Sequence, residues 1–158
     1  MFKITITVHK LFLLLLVSTA VFFSFGCEEE TQFEKDREAI RDHLEAINLE
    51  ATATASGLYY NIIEPGGEVM PSINDIVEVR YRGELLDGTV FDETEGSQIL
   101  RSPLGGLIRG WQLGLPLIGR GGRIELFIPS SLGYGNQQVG DIPANSVLYF
   151  NISLLDFE

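Results

Sequence analysis

Residues 75–92 of the chain read DIVEVRYRGELLDGTVFD. Polar and apolar side chains alternate over Asp75–Leu85, so the apolar ones share one face of a predicted strand. These apolar residues are Val77, Val79, Tyr81 and Leu85. Asp87-Gly88 then predicts a tight turn, after which Thr89-Val90-Phe91 begins a second extended segment. One apolar face followed by a sharp reversal is typical of an antiparallel sheet that covers a core on one side.

Further strands are predicted on both sides of this segment. Leu58–Ile63 is a short strand that ends at a Pro-Gly-Gly turn, and Arg123–Ile128 and Val147–Leu154 again alternate. One helix is predicted between the strands, at about Gly106–Leu115, and Pro116 ends it. The fold expected from this order is α+β, with a twisted antiparallel sheet wrapped around one short α-helix.

An acidic segment with a predicted N-terminal helix precedes this domain. Residues 28–50 contain nine acidic and three basic residues, with neither Gly nor Pro. Thr31 and Glu34 have the spacing of a capping box, which predicts the start of a helix. Its apolar side chains fall at helical spacing and are Phe33, Ile40, Leu44 and Ile47. This narrow stripe favours the inner face of a surface helix, and pairing with a helix of a partner is the alternative.

The first 26 residues have the parts of a secretory signal. Lys3 and Lys10 precede Leu11–Phe25, an apolar run that is shorter than the roughly 20 residues needed to span a bilayer. Gly26-Cys27 follows and resembles a lipobox, which would make Cys27 the lipidated N-terminus of a bacterial lipoprotein. The alternatives are an uncleaved signal anchor and a secreted protein with one spare thiol. The expected parts are a lipoprotein-type signal peptide at 1–26, an acidic tether and helix at 27–56, and a domain at 57–158.

Charge and residue types exclude several functions. The net charge of −11 becomes −13 once residues 1–26 and their two lysines are removed. Such an acidic protein repels phosphate backbones, so nucleic acid is not an expected partner. Cys27 is the only cysteine and His43 the only histidine beyond residue 26, so no Ser-His-Asp set, Cys-His set or His/Cys metal site is predicted. Gly119–Gly122 lacks the Lys-Ser/Thr pair of a phosphate loop.

Nine short segments between Ser56 and Glu158 carry a family resemblance. In chain order they are Gly57–Tyr60, Val79–Gly83, Leu86–Asp92, Leu107–Trp111, Gly119–Arg123, Ile128-Pro129, Leu132–Gly135, Ile142–Asn145 and Leu148–Phe150. Together they resemble the FKBP-type peptidyl-prolyl cis/trans isomerase domain. The resemblance implies an FKBP-like fold and rotation of X-Pro amides in proline-containing polypeptides, with no cofactor and no metal.

The resemblance also implies a role for each residue of an aromatic pocket. Trp111 would form the floor beneath a proline ring, and the walls would be Tyr81, Phe91, Leu107, Ile108, Tyr134 and Phe150. The backbone N–H of Ile108 and the hydroxyl of Tyr134 would bind substrate carbonyls. Asp92, hydrogen-bonded to Tyr81, would face the twisting amide. Further contacts with substrate are expected from Leu100, Leu107 and Ile142.

Amide rotation needs neither a nucleophile nor a metal. Its barrier of about 18–20 kcal/mol comes from lost amide resonance, so uncatalysed exchange takes tens to hundreds of seconds. The twisted transition state loses much of the dipole of the planar amide, and a dry aromatic pocket therefore favours it. We expect a lipid-anchored isomerase of the bacterial cell envelope that assists the folding of exported proteins. The alternative is a non-catalytic binding module or chaperone subunit that uses the same pocket.

Three features depart from the family pattern. Glu93-Thr94-Glu95 follows Asp92 where many members have an arginine, so the pattern leaves the partner of Asp92 open. Leu100 stands where an aromatic residue is common, and the loop Asn136–Gly140 is short and polar. These differences concern rate, sequence preference and inhibitor affinity rather than the pocket floor.

Overall fold

The computed structural model describes residues 30–158 of the chain. These residues contain two α-helices and seven strands. The helices are α1 (Gln32–Ala46) and α2 (Arg109–Gly114). The strands are β1 (Thr52–Ala53), β2 (Tyr59–Glu64), β3 (Ile76–Leu85), β4 (Val90–Glu93), β5 (Leu100–Pro103), β6 (Arg123–Ile128) and β7 (Leu148–Phe157). Short 3-10 turns occupy Leu104–Gly106, Leu115–Leu117 and Ser130–Leu132. The predicted signal peptide and Cys27 lie outside the described residues.

The strands form one antiparallel sheet in the order β1-β2-β6-β7-β3-β4. β4 and β5 share one edge of β3, while β7 pairs along the other edge from Val77 to Leu85. An antiparallel sheet with one short helix, preceded by an N-terminal helix, is the fold class that the sequence predicts, and that prediction is confirmed. No helix within residues 30–158 has the length and apolar character required to cross a membrane.

Alternate residues of the central strands point into the core, as their sequence pattern predicts. The fully buried ones are Val77, Val79, Ile124, Leu126, Ile128, Leu148, Ile152 and Leu154. Helix α2 packs closely on this face because two of its residues are glycines. A Cβ atom at Gly110 would lie 2.5 Å from Ile128 Cδ1, and one at Gly114 would lie 2.5 Å from Leu126 Cδ1. This close approach sets the depth at which Trp111 sits against the sheet.

The predicted helix at Gly106–Leu115 is longer than the one observed. Leu107 and Ile108 are extended, with ψ of 169° and 151°, so α2 begins only at Arg109. The Gln112 side chain donates to the Leu107 carbonyl at 2.8 Å and to the Gly105 carbonyl at 3.1 Å. These bonds satisfy carbonyl groups that a longer helix would have paired, and they hold the extended entry to α2.

Helix α1 packs on the outer face of the sheet. Its N-terminus is capped by the Thr31 hydroxyl, which accepts from the Glu34 N–H at 3.3 Å. Ile40 and Leu44 are buried against Phe127, which points away from the inner core although its neighbours in β6 line that core. Of the predicted apolar stripe, Ile47 remains 50% exposed. The stripe is therefore the inner face of a surface helix.

Candidate functional site

One cavity of about 460 Å³ opens between α2, the inner face of the sheet and the loop before β7. All ten pocket residues predicted from the sequence line it: Tyr81, Phe91, Asp92, Leu100, Leu107, Ile108, Trp111, Tyr134, Ile142 and Phe150. The structure therefore gathers residues from seven separate segments, and the catalytic or substrate-binding role of each remains a prediction. The lining also includes three residues without a predicted role, which are Val139, Gly140 and Asp141.

Four aromatic rings meet edge to face at the base of the cavity. The Trp111 ring lies 5.1 Å from the Tyr81 ring and 5.2 Å from the Phe150 ring, at interplanar angles of 79° and 90°. Phe91 stands 5.4 Å from Phe150 at 82°. Edge-to-face pairs at these distances are favourable because the positive edge of one ring meets the negative face of the next. The rings thus form a packed apolar wall.

The Trp111 indole is the floor of this wall and is only 3% exposed. Its Nε1 is buried and has no hydrogen-bond partner among the described residues. An N–H without a partner in an apolar setting costs free energy. Trp111 therefore lines the cavity with its ring, while its N–H stays buried without a partner among residues 30–158.

Gly83 makes the contact between Phe91 and Phe150 possible. It lies in β3 opposite Phe150 on one side and Asp92 on the other. A Cβ atom there would lie 2.6 Å from Phe91 Cε2 and 2.7 Å from Phe150 Cε1. A glycine inside a strand marks such a close approach, but sequence reasoning does not indicate which rings fill the space.

Asp92 is the carboxylate at the edge of the cavity. Its Oδ2 accepts a hydrogen bond from the Tyr81 hydroxyl at 2.5 Å. The nearby Arg82 does not supply the arginine that the family pattern places here, because it pairs with Glu84 and, at 3.1 Å, with Glu93. Tyr81 is therefore the partner of Asp92 in the described part of the chain.

Two tyrosine hydroxyls in the cavity are held in their neutral form. Burial raises the pKa of Tyr81, and the hydrogen bond to Asp92 and its negative charge raise it further. Burial and the charge of Asp92 also raise the pKa of Tyr134. Both hydroxyls consequently stay protonated, and able to donate hydrogen bonds, to a higher pH than an ordinary tyrosine does.

These shifts predict that the fold loses stability at alkaline pH. Burial and the hydrogen bond to Glu125 also raise the pKa of Tyr149, to about 12, whereas tyrosines in an unfolded chain titrate near 10. Above about pH 10 the unfolded state loses these protons first, so the free energy of unfolding falls as pH rises. Tyr81→Phe removes one such group and should make the decline shallower. Urea unfolding from about pH 8 to 11 measures this, and identical slopes for both proteins would contradict it.

Hydrogen bonds from outside the cavity fix the strand that carries Tyr81. The Thr94 hydroxyl accepts from the Tyr81 N–H at 3.0 Å, and it lies 3.2 Å from the Tyr81 carbonyl, to which it donates. The Thr94 N–H donates to the same carbonyl at 3.0 Å. Sequence reasoning did not single out Thr94, although it follows β4 directly. The signal in the sequence is a threonine directly after a strand, because its hydroxyl can both donate and accept hydrogen bonds with the backbone of a neighbouring strand.

The entry to α2 contains a backbone donor without an acceptor in the described part of the chain. Ile108 lines the cavity, and its N–H has no acceptor among the described residues. The Gln112 side chain holds the preceding Leu107 carbonyl, so the direction of the Ile108 N–H is fixed. This geometry suits the predicted binding of a substrate carbonyl. Gln112 was also missed by sequence reasoning.

The loop before β7 covers the cavity with a tight turn. Val139 and Ile142 exchange two backbone hydrogen bonds of 3.0 Å, and Gly140 between them has a φ of +56°. This turn brings Val139 to the cavity rim, where it is 40% exposed. The loop is short, as predicted. Although most of its residues are polar, Val139 adds an apolar side chain to the cavity lining.

The fold and the cavity together define the class of protein. An antiparallel sheet packs on one short helix, and a pocket lined by aromatic rings lies between them with the carboxylate of Asp92 at its edge. No group of three or more His, Cys, Asp or Glu in residues 30–158 could hold a metal ion. The family model for FKBP-type peptidyl-prolyl cis-trans isomerases matches residues 67–155. The chain belongs to this family.

Individual relatives agree with the family match. The isomerase FkpA of Buchnera aphidicola subsp. Schizaphis graminum is 44% identical over 107 residues, which are 66% of this chain and 42% of that protein. The crystal structure of FkpA from Escherichia coli superposes with a TM-score of 0.71 at 31% identity, covering 96% of this chain and 70% of that one. A peptidyl-prolyl cis-trans isomerase from Pseudomonas syringae gives a TM-score of 0.66 at 31% identity, with 82% and 98% covered. The chain spans only 38–42% of the length of the first curated relatives it matches.

Proposed function

We propose that this protein is a peptidyl-prolyl cis/trans isomerase that assists the folding of exported proteins. The observation that carries the proposal is the cavity itself, in which Trp111, Tyr81, Phe91 and Phe150 surround an apolar space with Asp92 at its edge. Its volume of about 460 Å³ lies within the roughly 300–1,000 Å³ of small-ligand pockets. Membership of the family supports the same activity.

The pocket favours the twisted amide over the planar one. A planar X-Pro amide has a large dipole, and water solvates it better than aromatic rings do. Transfer into the cavity therefore raises the free energy of the planar ground state more than that of the transition state, because the dipole is smaller in the transition state. The Ile108 N–H would hold a substrate carbonyl, and the neutral Tyr134 hydroxyl would hold another. The ring of Trp111 would support the proline ring.

Exchange of a proline peptide tests this activity. The full-length chain at micromolar concentration should accelerate cis/trans exchange of a Leu-Pro or Phe-Pro peptide. Without a catalyst this exchange takes tens to hundreds of seconds, and the protein should shorten that time greatly. NMR exchange spectroscopy measures both rates in one sample. A folded protein, by circular dichroism, that binds the peptide without accelerating its exchange would instead favour a non-catalytic binding module.

We also propose that the protein is anchored in the bacterial cell envelope through lipid on Cys27. The support is the sequence of residues 1–27, in which an apolar run precedes Gly26-Cys27. Several acyl chains on one residue give firm anchoring, because each buried CH₂ contributes about 0.8 kcal/mol. The intact mass of the membrane-extracted protein tests this proposal. Loss of residues 1–26 with added lipid is expected, and an unmodified chain that starts at Met1 would refute it.

A further inference from the structure

Asp36 is a buried carboxylate that does not line the cavity. It lies on α1 and is 2% exposed, the only charged residue among residues 30–158 that is classed as buried. No Lys, Arg or His of these residues lies within 4.0 Å of its carboxylate as an ion-pair partner. A buried carboxylate without a cation is costly unless several donors bind it. Asp36 must therefore be held by hydrogen bonds.

Those hydrogen bonds come chiefly from Ser130, which is 94 positions further along the chain. Asp36 Oδ2 accepts from the Ser130 N–H at 2.8 Å and from the Ser130 hydroxyl at 2.6 Å. The side-chain amide of Gln32 donates to Oδ1 at 2.6 Å. Ser130 begins a 3-10 turn whose first N–H has no partner inside the turn. Asp36 therefore caps this turn from another element.

The capped turn leads directly to the cavity. The Ser130 carbonyl accepts from the Gly133 N–H at 3.0 Å and from the Gly135 N–H at 2.8 Å. These two glycines flank Tyr134, which lines the cavity. The backbone of Ser130 is thus bonded on one side to α1 and on the other side to both neighbours of Tyr134. A continuous hydrogen-bonded path joins Asp36 to the Tyr134 loop.

We infer that Asp36 is a positioning residue for the pocket: through Ser130, it holds the turn that presents Tyr134 to the substrate. This inference rests on the proposed isomerase function. Helix α1 then has a second role beyond covering Phe127, because its buried carboxylate orders one wall of the cavity. Since Tyr134 is expected to bind a substrate carbonyl, loss of Asp36 should act mainly on substrate binding.

Two substitutions at Asp36 in the full-length chain test the inference. Asp36→Ala removes the acceptor and should lower kcat/KM about three- to tenfold, mainly by raising KM, as expected for loss of uniform binding. Asp36→Asn keeps one oxygen that can accept both Ser130 bonds and should restore kcat/KM to within about twofold of wild type. Ser130→Ala removes only the hydroxyl bond, and a smaller loss in the same direction is expected even if Asp36→Ala fails to fold.

Leu44→Ala is the matched control, because it removes apolar packing between α1 and Phe127 and leaves both partners of the Asp36–Ser130 bonds in place. It should lower stability and leave kcat/KM within about 1.5-fold of wild type. NMR adds a readout that does not depend on activity: the amide signals of Gly133 and Gly135 should shift in Asp36→Ala and not in Leu44→Ala. Unchanged glycine signals in folded Asp36→Ala, or an equal loss of kcat/KM in Leu44→Ala, would overturn the inference. If the wild type itself does not accelerate exchange, the proposed function fails, and the glycine signals alone decide the role of Asp36.

Discussion

A single added methyl group at Gly83 is expected to lower kcat/KM at least tenfold. In Gly83→Ala the new Cβ would lie 2.6 Å from Phe91 Cε2 and 2.7 Å from Phe150 Cε1, so both rings must move. Phe150 is 4% exposed and packed, which leaves the cavity as the free space into which the rings can turn. Overpacking of this kind costs about 1–3 kcal/mol of stability. Exchange kinetics and urea unfolding measure the two effects.

Gly106→Ala is the control for this change. It adds the same methyl group, but no atom lies within 4 Å of the new Cβ and the backbone is not in the left-handed region. We expect a change of stability within about 0.5 kcal/mol, as for other open surface sites, and an unaltered kcat/KM. Wild-type kinetics in Gly83→Ala would show that the rings of Phe91 and Phe150 do not shape the site.

Removal of the charge on Asp92 is expected to lower kcat/KM about tenfold. Asp92→Asn keeps the size of the side chain but replaces a charge-assisted bond from the Tyr81 hydroxyl, now 2.5 Å, with a neutral one. Bonds to charged groups contribute about 1.5–3 kcal/mol, against roughly 1 kcal/mol for neutral pairs. A loss near 1.4 kcal/mol corresponds to a factor of ten in rate. Tyr81 would be held less firmly, and the negative electrostatic field of the carboxylate at the substrate amide would be lost.

Glu93→Gln removes the same charge from the adjacent residue. Glu93 pairs with Arg82 at 3.1 Å and does not line the cavity. Its substitution should leave kcat/KM within about twofold of wild type, because exposed ion pairs contribute little. If both variants lose activity equally, the effect comes from net charge rather than from Asp92. An Asp92→Asn protein with full activity would remove Asp92 from the proposed mechanism.

The sheet could be predicted because its central strands have one buried face. Val79 in β3 and Ile124 in β6 each lie between two polar residues, and this period of two is the strongest sequence signal for a strand. Phe127 shows where the pattern stops being informative. It lies on the outer face of β6, and only the packing of α1 makes it a core residue. Packing between elements that are distant in sequence produces no alternation of apolar and polar residues, so it cannot be predicted from that pattern.

The residues around the cavity could be predicted as a set, but the groups that support them could not. The resemblance singles out side chains that point into the pocket, such as Trp111 and Tyr81. Gln112 and Thr94 act from outside, through bonds to backbone atoms of the pocket residues. Asp36 is one of nine acidic residues between positions 28 and 50, and no local pattern distinguishes the buried one from the exposed ones.

The last strand along the chain lies in the middle of the sheet. β7 pairs with β6 on one side and with β3 on the other, so without Leu148–Phe157 the sheet falls into two three-stranded pieces with open edges. Open edges invite pairing with other chains, and pairing between distant segments is slow. During synthesis of the chain, these edges remain unpaired until β7 has emerged. A protein proposed to speed the folding of others is thus itself exposed to aggregation until its own final strand is in place.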